Sequence, residues 1–403
     1  MVTPTFLPYF GGQEVYVRKL SENLAKRGHE VTIFTTDAVS RIPFKRAFAE
    51  RQESGAYTVL RFPCQGFLYS YVPIAPRFIL AVLSKSITNH HVVHVHGFGH
   101  VTSDVAALMR RIFRVPVVLT THGLHQETGQ RGFVRSLFWY YYRETCVRIT
   151  LHTVDRILTL SPDESRYLAR FGPNVESKVT VVPIGVATEE FLRFAGKTPS
   201  PTDRPMVLYV GRIYPGKGLN FLIEAISSLK SYNPLVVLAG ERTEYVSVLQ
   251  ELAKKLGVDR NVVFTGFVDE EEKSRLLSEA SVFCLPSKYE GASLATLEAM
   301  AAGTPIVATR TGGLQYLVRD GSSGFLVRYG RADEIALSLE KIITNPLLRD
   351  EMGKRASATA KDYEWTTIAA RIEEIYEEVI RESHSRMARE WTDSSVEEEE
   401  EVR

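Results

Sequence analysis

The chain has 403 residues, which exceeds one ordinary hydrophobic core and suits two domains of ~150–200 residues each. Hydrophobic residues make up 44% of it, charged residues 24%, and the formal net charge is +1, so the composition indicates a globular enzyme and excludes bulk electrostatic binding to nucleic acid. Three cysteines without CxxC spacing, no signal peptide and no run of ~18 apolar residues together predict a cytoplasmic protein with neither disulfides nor a membrane span.

The first half of the chain alternates short apolar runs with amphipathic segments. A strand is predicted at Met1–Thr5, so close to the start that it is either trimmed or begins upstream, and a helix at Glu14–Arg27 that ends at Gly28. Alternation of this kind predicts a parallel, doubly wound sheet with helices on both faces. Further buried strands are predicted at Val31–Thr35, Val92–Val95, Val117–Thr120, Ile157–Leu160 and Lys178–Val182.

Two adjacent glycines, Gly11 and Gly12, lie between the first predicted strand and the first predicted helix. Glycine allows a ligand to approach the backbone closely, and a helix N-terminus favours an anion. The spacing is not the full G-x-G-x-x-G pattern, however, and an unliganded tight turn has the same sequence. Both interpretations stay open for this turn.

A polar segment with three prolines, Lys197–Pro205, is the predicted linker between the two halves. We therefore expect two α/β domains that face a cleft, with residues 1–196 in the first and residues 206–362 in the second. Ligands of such sheets bind beyond the carboxyl ends of the strands. In the second half, a helix is predicted at Leu219–Lys230 and strands at Met206–Val210, Leu235–Ala239, Val262–Thr265, Val282–Leu285 and Pro305–Ala308.

A basic loop follows the first predicted strand of the second half. It runs from Gly211 to Gly218 and carries Arg212 and Lys217 between a strand and a helix. Two cations at that edge can neutralise a diphosphate without a metal ion. The alternative is a solvated basic loop without a ligand.

Two glutamates flank a predicted helix start further along. Glu290 lies in a loop, Ser293 can cap the following helix, and Glu298 falls in its second turn. The free N–H groups of the first turn form an anion site, and carboxylates beside it can accept hydrogen bonds from sugar and ribose hydroxyls. An acidic pair here could instead only complement the helix dipole. The small residues of Ala299–Gly303 favour a helix that packs tightly beside a ligand.

The motifs in this order resemble those of the retaining family 4 glycosyltransferases, which have the GT-B fold. The most specific element is Glu290-x7-Glu298, continued as Glu298-Ala-Met-Ala-x-Gly-x-Pro and followed by Gly312-Gly313. The resemblance extends from residue 1 to about residue 380 and includes Gly11-Gly12, Gly28-His29-Glu30-Val31, Thr121-His122-Gly123, Pro183-Ile184-Gly185-Val186, Gly211-Arg212, Lys217-Gly218 and Tyr363-Glu364-Trp365.

The resemblance implies an α/β protein of two Rossmann-like domains. It also implies a retaining, metal-independent transfer of a sugar from a nucleoside diphosphate to a hydroxyl of a glycan or lipid-linked acceptor. No cofactor is implied, and UDP is slightly favoured over GDP as the carrier. Three positions depart from the family pattern: Ser293 stands where similar proteins often have Gly, Tyr316 where they have Glu, and Ala187 where they have Asp.

The resemblance further implies a role for individual residues. Four of them would be catalytic, with Arg212 and Lys217 on the donor diphosphate and Glu290 and His122 on the donor sugar. Glu298 would bind the ribose hydroxyls. The other donor-binding residues would be Ser293 and Leu294 through their N–H groups, Gly12 near the phosphate or acceptor, Gly211 in the diphosphate loop, and Gly266 and Phe267 against the base.

No Asp-x-Asp motif occurs in the sequence, so Arg212 and Lys217 are expected to replace a metal ion at the departing diphosphate. His94 and His96 share one face of a predicted strand, which is a spacing that metal ligands use. Neither a carboxylate nor a cysteine accompanies them at ligand spacing. A structural or acceptor-side role is therefore favoured, and no metal site is predicted.

Aromatic residues crowd between Arg131, Arg135, Arg143 and Arg148. The favoured interpretation is a helix that packs its apolar face on the first domain. The alternative is an amphipathic helix on an anionic membrane, where it would reach a lipid-linked acceptor. The alternative would give the protein a peripheral position at the inner membrane face.

A helix is predicted over residues 363–386, and in similar proteins the final helix returns to the first domain. Residues 387–403 are predicted to form an acidic, disordered tail. Rival functions are a non-catalytic sugar-nucleotide-binding subunit, a glucan synthase, a sugar-nucleotide epimerase and a hydride-transfer enzyme. The missing G-x-G-x-x-G argues against the last. The sequence does not identify the donor sugar, the base or the acceptor.

Overall fold

The computed structural model describes residues 1–9, 11–41, 44–46, 51–68, 72–82, 89–123, 137, 140–192 and 204–401. The chain divides into two compact units. Unit 1 consists of Met1–Val182 together with Thr366–Arg403, and unit 2 consists of Pro183–Trp365. Most of the predicted linker lies outside the described residues.

The division between the units comes earlier in the chain than the sequence predicts. Val186 forms a parallel bridge with Glu364, and its N–H donates to the Tyr363 carbonyl at 2.8 Å. The Trp365 N–H donates back to the Val186 carbonyl at 3.1 Å. Residues 183–192 therefore lie in unit 2 and not in the predicted first domain. Sequence patterns miss this boundary because the pairing joins segments that are far apart along the chain.

Unit 1 is an α/β unit. Within the described residues its strands are β1 (Thr32–Thr36), β2 (Ala38–Arg41), β3 (Phe44–Arg46), β4 (Arg51–Ser54), β5 (Tyr57–Phe62), β6 (Phe67–Leu68), β7 (Val72–Pro73), β8 (Val93–His96), β9 (Val117–Thr120), β10 (Arg156–Thr159) and β11 (Val179–Val181). The helices that accompany them are α1 (Gly12–Lys26), α2 (Pro76–Val82), α3 (Val101–Phe113), α4 (Arg148–Thr153), which follows a π-helical turn at Arg143–Val147, α5 (Pro162–Ala169) and α6 (Pro173–Glu176).

Seven of these strands of unit 1 form a mainly parallel sheet, whereas β2–β3 and β6–β7 are separate antiparallel pairs. One part has the order β11-β10-β9-β8 and the other has the order β1-β5-β4, in which only β4 is antiparallel to its neighbour. Val2 bridges Phe34 of β1 and Val95 of β8 in parallel, and so joins the two parts. The predicted strand at Met1–Thr5 is reduced to this bridge, because Pro4 has no N–H to donate to a ladder.

Helix α1 shows how the sequence pattern produces this packing. Tyr16, Val17, Leu20 and Leu24 are buried at the spacing of one helix face, as the sequence predicts. After the helix ends, Gly28 has a φ of +93°, a conformation that glycine adopts without steric cost.

Unit 2 is also an α/β unit. Its strands are β12 (Met206–Val210), β13 (Leu235–Ala239), β14 (Val262–Gly266), β15 (Val282–Leu285), β16 (Ile306–Thr309) and β17 (Gly324–Val327) within the described part of the chain. Short 3₁₀ turns occur at Pro215–Lys217, Lys230–Tyr232, Asp259–Asn261 and Lys361–Tyr363. The helices are α7 (Thr188–Leu192), α8 (Leu219–Ser227), α9 (Tyr245–Lys255), α10 (Glu270–Glu279), α11 (Leu294–Ala301), α12 (Leu314–Leu317), α13 (Ala332–Ile343) and α14 (Pro346–Ala360).

The sheet of unit 2 is parallel throughout, with the order β14-β13-β12-β15-β16-β17. Counted from β12, this is the order 3-2-1-4-5-6 of a doubly wound nucleotide-binding fold. The order reverses between β12 and β15, so the loops that follow these two strands leave the sheet at its switch point. Ligands of such sheets bind at this place.

The last helix, α15 (Trp365–Glu401), is longer than the sequence predicts. It continues through the segment that was expected to be a disordered tail, since glutamate has a high intrinsic helix propensity despite its charge. Within unit 1, Arg156 contacts Glu382 at 2.9 Å and Arg386 contacts Asp155 at 3.0 Å. Among the described residues, every helix is either too short or too polar to traverse a lipid bilayer.

Candidate functional site

Two loops of unit 2 meet at the switch point of its sheet. The loop after β12 ends at Gly218, which has a φ of +65°. An added Cβ at Gly218 would overlap the carbonyl oxygen of Pro286 in the loop after β15, so only glycine fits here. The Lys288 N–H also donates to the Gly216 carbonyl at 2.9 Å. Backbone contact therefore fixes the two predicted ligand loops against each other.

The same contact brings two predicted catalytic side chains together. Lys217 Nζ lies 2.5 Å from Glu290 Oε1, and both side chains are mostly buried. These residues are 73 positions apart, and the resemblance implied a role for each without predicting that they pair. The pair places a cation directly beside the carboxylate that was predicted to hold the donor sugar.

Arg212 adds a second cation to this place. Its guanidinium lies 5.6 Å from the ring centroid of Tyr214, and Lys217 Nζ lies 5.7 Å from the same centroid. Arg212 is exposed and makes no ion pair with any part of the chain that the structure describes. Its charge is thus available to an anion from solution, as a diphosphate site requires.

The two glycines of the predicted motif, Gly312 and Gly313, contact the backbone of the loop that carries Glu290. The Gly313 N–H donates to the Glu290 carbonyl at 2.7 Å. An added Cβ at Gly312, whose φ is +49°, would overlap that carbonyl oxygen. The pair Gly312-Gly313 therefore fixes the backbone of Glu290, which is a supporting role.

Helix α11 begins beside these loops and presents its N-terminus. Ser293 caps it, with its Oγ accepting from the Thr296 N–H at 3.2 Å and from the Thr296 hydroxyl at 2.8 Å. The N–H groups of Leu294 and Ala295 precede any intrahelical acceptor, so they can donate to a phosphate. The prediction named Ser293 and Leu294 for this task, and the cap explains why Ser is tolerated where similar proteins carry Gly.

Glu298 lies in α11 and is buried, where it pairs with a residue that the sequence analysis missed. Lys273 Nζ of α10 lies 2.8 Å from Glu298 Oε1 and 2.9 Å from Glu270. Burial raises the pKa of the Glu298 carboxyl, and Lys273 acts in the opposite direction. A signal for Lys273 does exist in the sequence, because it falls on the same helix face as buried Leu276 and Leu277.

The remaining predicted residues of unit 2 lie at the same edge of the sheet. The Gly211 N–H donates to the Ala239 carbonyl, and the Gly240 N–H donates to the Gly266 carbonyl, both at 2.9 Å. Phe267 directly follows β14 and is exposed. Gly211, Gly266 and Phe267 are therefore at the carboxyl ends of β12 and β14, where the resemblance puts the nucleotide.

His122 lies in unit 1, directly after β9, and has an unusual backbone conformation. Its φ is +54°, a left-handed value that is uncommon for residues other than glycine. Its Nε2 lies 3.0 Å from His96 Nδ1, and the ring meets the edge of Tyr16 at a centroid distance of 4.7 Å. Burial lowers the pKa of His122 to about 3, so the imidazole is neutral at physiological pH.

The two strand histidines are neutral as well. His94 contacts the Tyr376 hydroxyl through Nδ1 at 2.5 Å and Thr120 Oγ1 through Nε2 at 2.7 Å. Burial lowers the pKa of both His94 and His96 well below the usual range. Within the described residues, no group of three or more His, Cys, Asp or Glu side chains is arranged to hold a metal ion. Metal independence of the reaction stays a prediction.

The two glycines of the turn before α1 differ in the space around them. An added Cβ at Gly11 would overlap the Glu14 carboxylate, whereas at Gly12 it would meet nothing within 4 Å. Glu14 also accepts a hydrogen bond from the Thr5 hydroxyl. A larger residue at Gly11 would therefore have to displace the Glu14 carboxylate. The ligand contact predicted for Gly12 stays a prediction.

Comparison with known proteins decides the family. A family model described as Glycosyltransferase Family 4 matches residues 10–190, and one described as Glycosyl transferases group 1 matches residues 191–359. A D-inositol 3-phosphate glycosyltransferase of Kribbella flavida is 31% identical over 390 residues, covering 89% of this chain and 90% of that protein. The chain belongs to the family 4 glycosyltransferases.

Other relatives of this glycosyltransferase extend the comparison. An uncharacterized glycosyltransferase of Methanocaldococcus jannaschii is 26% identical over 396 residues, covering 93% of this chain and 97% of that protein. Sucrose-phosphate synthase from Thermosynechococcus elongatus has a TM-score of 0.78 at 24% identity, covering 94% and 98% of the two chains. Anabaena HepE in complex with UDP and glucose has a TM-score of 0.71 at 19% identity, covering 94% and 99%. The structural likeness confirms the predicted GT-B fold of two Rossmann-like domains.

Two departures from the family pattern have a defined place in this glycosyltransferase. Tyr316 lies in the short helix α12, directly after Gly312-Gly313, and is exposed. Ala187 lies directly before α7, where its carbonyl accepts the Glu190 N–H at 3.1 Å. Neither residue contributes to the Lys217–Glu290 pair or to the cap of α11.

Proposed function

We propose that this glycosyltransferase moves a sugar, with retention of its anomeric configuration, from a nucleoside diphosphate to a hydroxyl of a glycan or lipid-linked acceptor. The observation that carries the proposal is the cluster of Arg212 with the Lys217–Glu290 pair beside the N-terminus of α11. Two cations and free N–H groups face one edge of a nucleotide-binding sheet, and one carboxylate is held among them.

The diphosphate is the part of the donor that this cluster fits best. Arg212 and Lys217 supply two positive charges, and the first turn of α11 supplies backbone donors. Charge that develops on the departing diphosphate is stabilised without a metal ion by such donors, each worth roughly 10²–10³ in rate. UDP remains slightly favoured over GDP as the carrier, and it is the nucleotide bound in the HepE structure.

Retention follows in this proposal from attack on the face that the diphosphate leaves. The bond from the anomeric carbon to the diphosphate oxygen breaks, the acceptor oxygen bonds to that carbon, and its proton passes to the departing phosphate oxygen. Glu290 is paired with Lys217, which makes it a poor nucleophile and suits it to holding sugar hydroxyls. His122, as a neutral imidazole, is proposed to bond the donor sugar.

The relatives suggest which acceptors to try first. The Kribbella flavida relative is named for D-inositol 3-phosphate, so a phosphorylated cyclitol belongs among the acceptors tested here, next to glycans and lipid-linked sugars. The rival hypothesis of a non-catalytic sugar-nucleotide-binding subunit predicts donor binding without transfer to any of them.

The test begins with thermal-shift measurements across UDP-, GDP- and ADP-sugars. Transfer from the stabilising donor is then assayed with each acceptor class, in EDTA and without it, and the product anomer is assigned by NMR. We expect one nucleotide class to raise Tm and the product to retain the donor configuration in EDTA. A product of inverted configuration, or a strict need for a divalent cation, would overturn the mechanism.

The exposed aromatic residues near α4 support a second proposal, a peripheral contact with an anionic membrane. Tyr140 is 53% and Tyr141 60% exposed, and Leu137 and Ile149 are exposed as well. Arg148 adds an exposed cation to this surface, while the predicted residues 131–136 lie outside the described part of the chain. Apolar and cationic side chains on one surface are typical of contact with an acidic lipid layer.

Sedimentation with vesicles tests this contact. We expect the protein to bind phosphatidylglycerol vesicles at low salt, to be released at high salt, and to bind phosphatidylcholine vesicles weakly. The double variant Tyr140→Ser, Tyr141→Ser should lose the vesicle binding and keep nucleotide binding. Full recovery of the wild type in the supernatant at low salt would contradict the contact and would leave the transfer reaction untouched.

A further inference from the structure

The buried ion pair between α10 and α11 is not explained by the roles described above. Lys273 is 9% and Glu298 6% exposed, so both charges are withdrawn from water. Their Nζ and Oε1 atoms lie 2.8 Å apart. Burying two charges is costly, and apolar residues of similar volume at both positions often stabilise a fold at least as well. The pair therefore points to a task other than stability.

The geometry treats the two oxygens of Glu298 differently. Oε1 accepts the hydrogen bond from Lys273. Oε2 accepts no hydrogen bond from any residue that the structure describes. A carboxylate that is held by one oxygen keeps a fixed direction for the other. Such an oxygen can accept one or two hydroxyl groups, which is the chemistry of a ribose.

The charges around Glu298 would oppose its ionisation without Lys273. Burial raises the pKa of the Glu298 carboxyl first, and Glu270 on α10 and Glu190 on α7 raise it further. Both α7 and α10 pack against α11. The residues that α14 buries in this region are uncharged. Lys273 is thus the cation that offsets these effects on Glu298.

We propose that Lys273 is a positioning residue of the donor site, which holds Glu298 by one oxygen so that the other accepts the ribose hydroxyls of the nucleotide. The proposal rests on the proposed function, since it needs a nucleotide at the edge of unit 2. Lys273 acts through Glu298, so its loss weakens the interaction with the ribose and leaves the contacts to the base and diphosphate in place.

The experiment compares UDP with 2′,3′-dideoxy-UDP, which lacks both ribose hydroxyls, by isothermal titration calorimetry. GDP and its dideoxy analogue replace them if the wild type binds only GDP. The variants are Lys273→Met, Lys273→Arg, Glu298→Gln and the double variant Lys273→Met, Glu298→Gln. Lys254→Met is the control, because Lys254 is 64% exposed on α9 and its one ion pair within the described residues is with Glu251.

Lys273→Met should weaken UDP binding on the order of 10- to 100-fold, which is the loss of a hydrogen bond to a charged group, and should change dideoxy-UDP binding little. The ratio of its UDP affinity to its dideoxy-UDP affinity should rise with pH more steeply than that of the wild type, because without Lys273 nothing offsets the raised pKa of the Glu298 carboxyl. Lys273→Arg should restore part of the affinity. If Lys273→Met is too unstable to measure, the double variant, which leaves no unpaired buried charge, should show the same selective loss for UDP.

Two other results are informative in different ways. Equal losses for UDP and dideoxy-UDP, or unchanged UDP binding in Lys273→Met and the double variant, would overturn the positioning role and leave the proposed function standing. A wild type that binds none of the nucleotides would contradict the proposed function itself.

Discussion

The two units of this glycosyltransferase bring together different kinds of side chain. Unit 2 gathers charges at its sheet edge, with Arg212 beside the Lys217–Glu290 pair. Unit 1 gathers neutral groups, with His122 bonded to His96 and buried too deeply to be protonated. In the proposed function, the charges of unit 2 bind the departing diphosphate and the neutral imidazole of His122 bonds a sugar hydroxyl. The difference teaches that charged and neutral recognition rest on different side chains and can be tested by separate variants.

The largest expected effect tests the charged side of this comparison. Lys217→Ala should lower kcat/KM for transfer by roughly 10²–10³, because one of the two cations at the diphosphate is lost. Glu290→Gln should abolish transfer, because it removes the carboxylate that is proposed to hold the donor sugar and that pairs with Lys217. Both proteins should remain folded, with a Tm below that of the wild type because a mostly buried ion pair is broken. Steady-state kinetics and thermal unfolding measure the two quantities, with Lys254→Ala as the surface control. Full activity in both variants would contradict the site assignment.

A somewhat smaller effect is expected at Gly312, which supports the site through its contact with the Glu290 backbone and carries no charge. Gly312→Ala places a methyl group against the Glu290 carbonyl in a left-handed conformation. The resulting displacement of Glu290 should lower kcat/KM on the order of 10- to 100-fold, since misplacement by ~1 Å can cost that much. Gly321→Ala is the matched control, because Gly321 also has a positive φ, +74°, but open space around it. Its activity should stay near the wild-type value, and similar losses in the two variants would mean that the overlap at Glu290 is unimportant.

The residues in these two predictions also show which parts of the site could be predicted from the sequence. The strands Met206–Val210, Leu235–Ala239 and Val282–Leu285 have their predicted bounds because buried parallel strands are continuous apolar runs. The loops at the switch point could be predicted for the same reason, since each follows such a run. The pairing of Lys217 with Glu290 could not, because it depends on how two loops 73 residues apart meet in space.

Other features escaped the sequence analysis for related reasons. Lys273 was not among the predicted site residues, although its position on the helix face indicates burial. The antiparallel pair β4–β5 and the division between the units rest on partners that local periodicity does not reveal. The acidic tail was predicted from its charge alone, and its helix propensity was left out of account.

The pH dependence of unfolding tests whether the buried histidines of unit 1 are neutral. The pKa values of His94, His96 and His122 are all lowered by burial, that of His122 to about 3. The unfolded chain therefore binds protons below pH ~6.5 that the folded unit does not. The contribution of these histidines to the free energy of unfolding is at its full value above pH ~6.5 and decreases as the pH falls towards 3. Each histidine contributes up to about 1.4 kcal/mol per pH unit in this window. Urea denaturation at pH 5.0 and 7.5 measures the slope, and His122→Asn should reduce it by about one proton. An unchanged slope would show that His122 titrates normally.

The smallest expected effect concerns the hydrogen bond between Tyr376 of the last helix, α15, and His94 of strand β8. Burial raises the pKa of Tyr376, so its hydroxyl stays protonated and can donate to His94 Nδ1. The His94 proton then lies on Nε2, which donates to Thr120 Oγ1. Tyr376→Phe leaves Nδ1 buried without this donor and should lower the free energy of unfolding by about 1 kcal/mol, with the nucleotide Kd unchanged because that site lies in unit 2. Tyr232→Phe is the control, since the Tyr232 hydroxyl donates a hydrogen bond to Glu340 at the surface.

Long-range nitrogen–proton NMR spectra test the direction of this hydrogen bond. They should show the Nε2–H form of His94 in the wild type and a mixture of forms in Tyr376→Phe. A wild-type spectrum of the Nδ1–H form would reverse the direction of this hydrogen bond, and with it the orientation inferred for the neutral cluster.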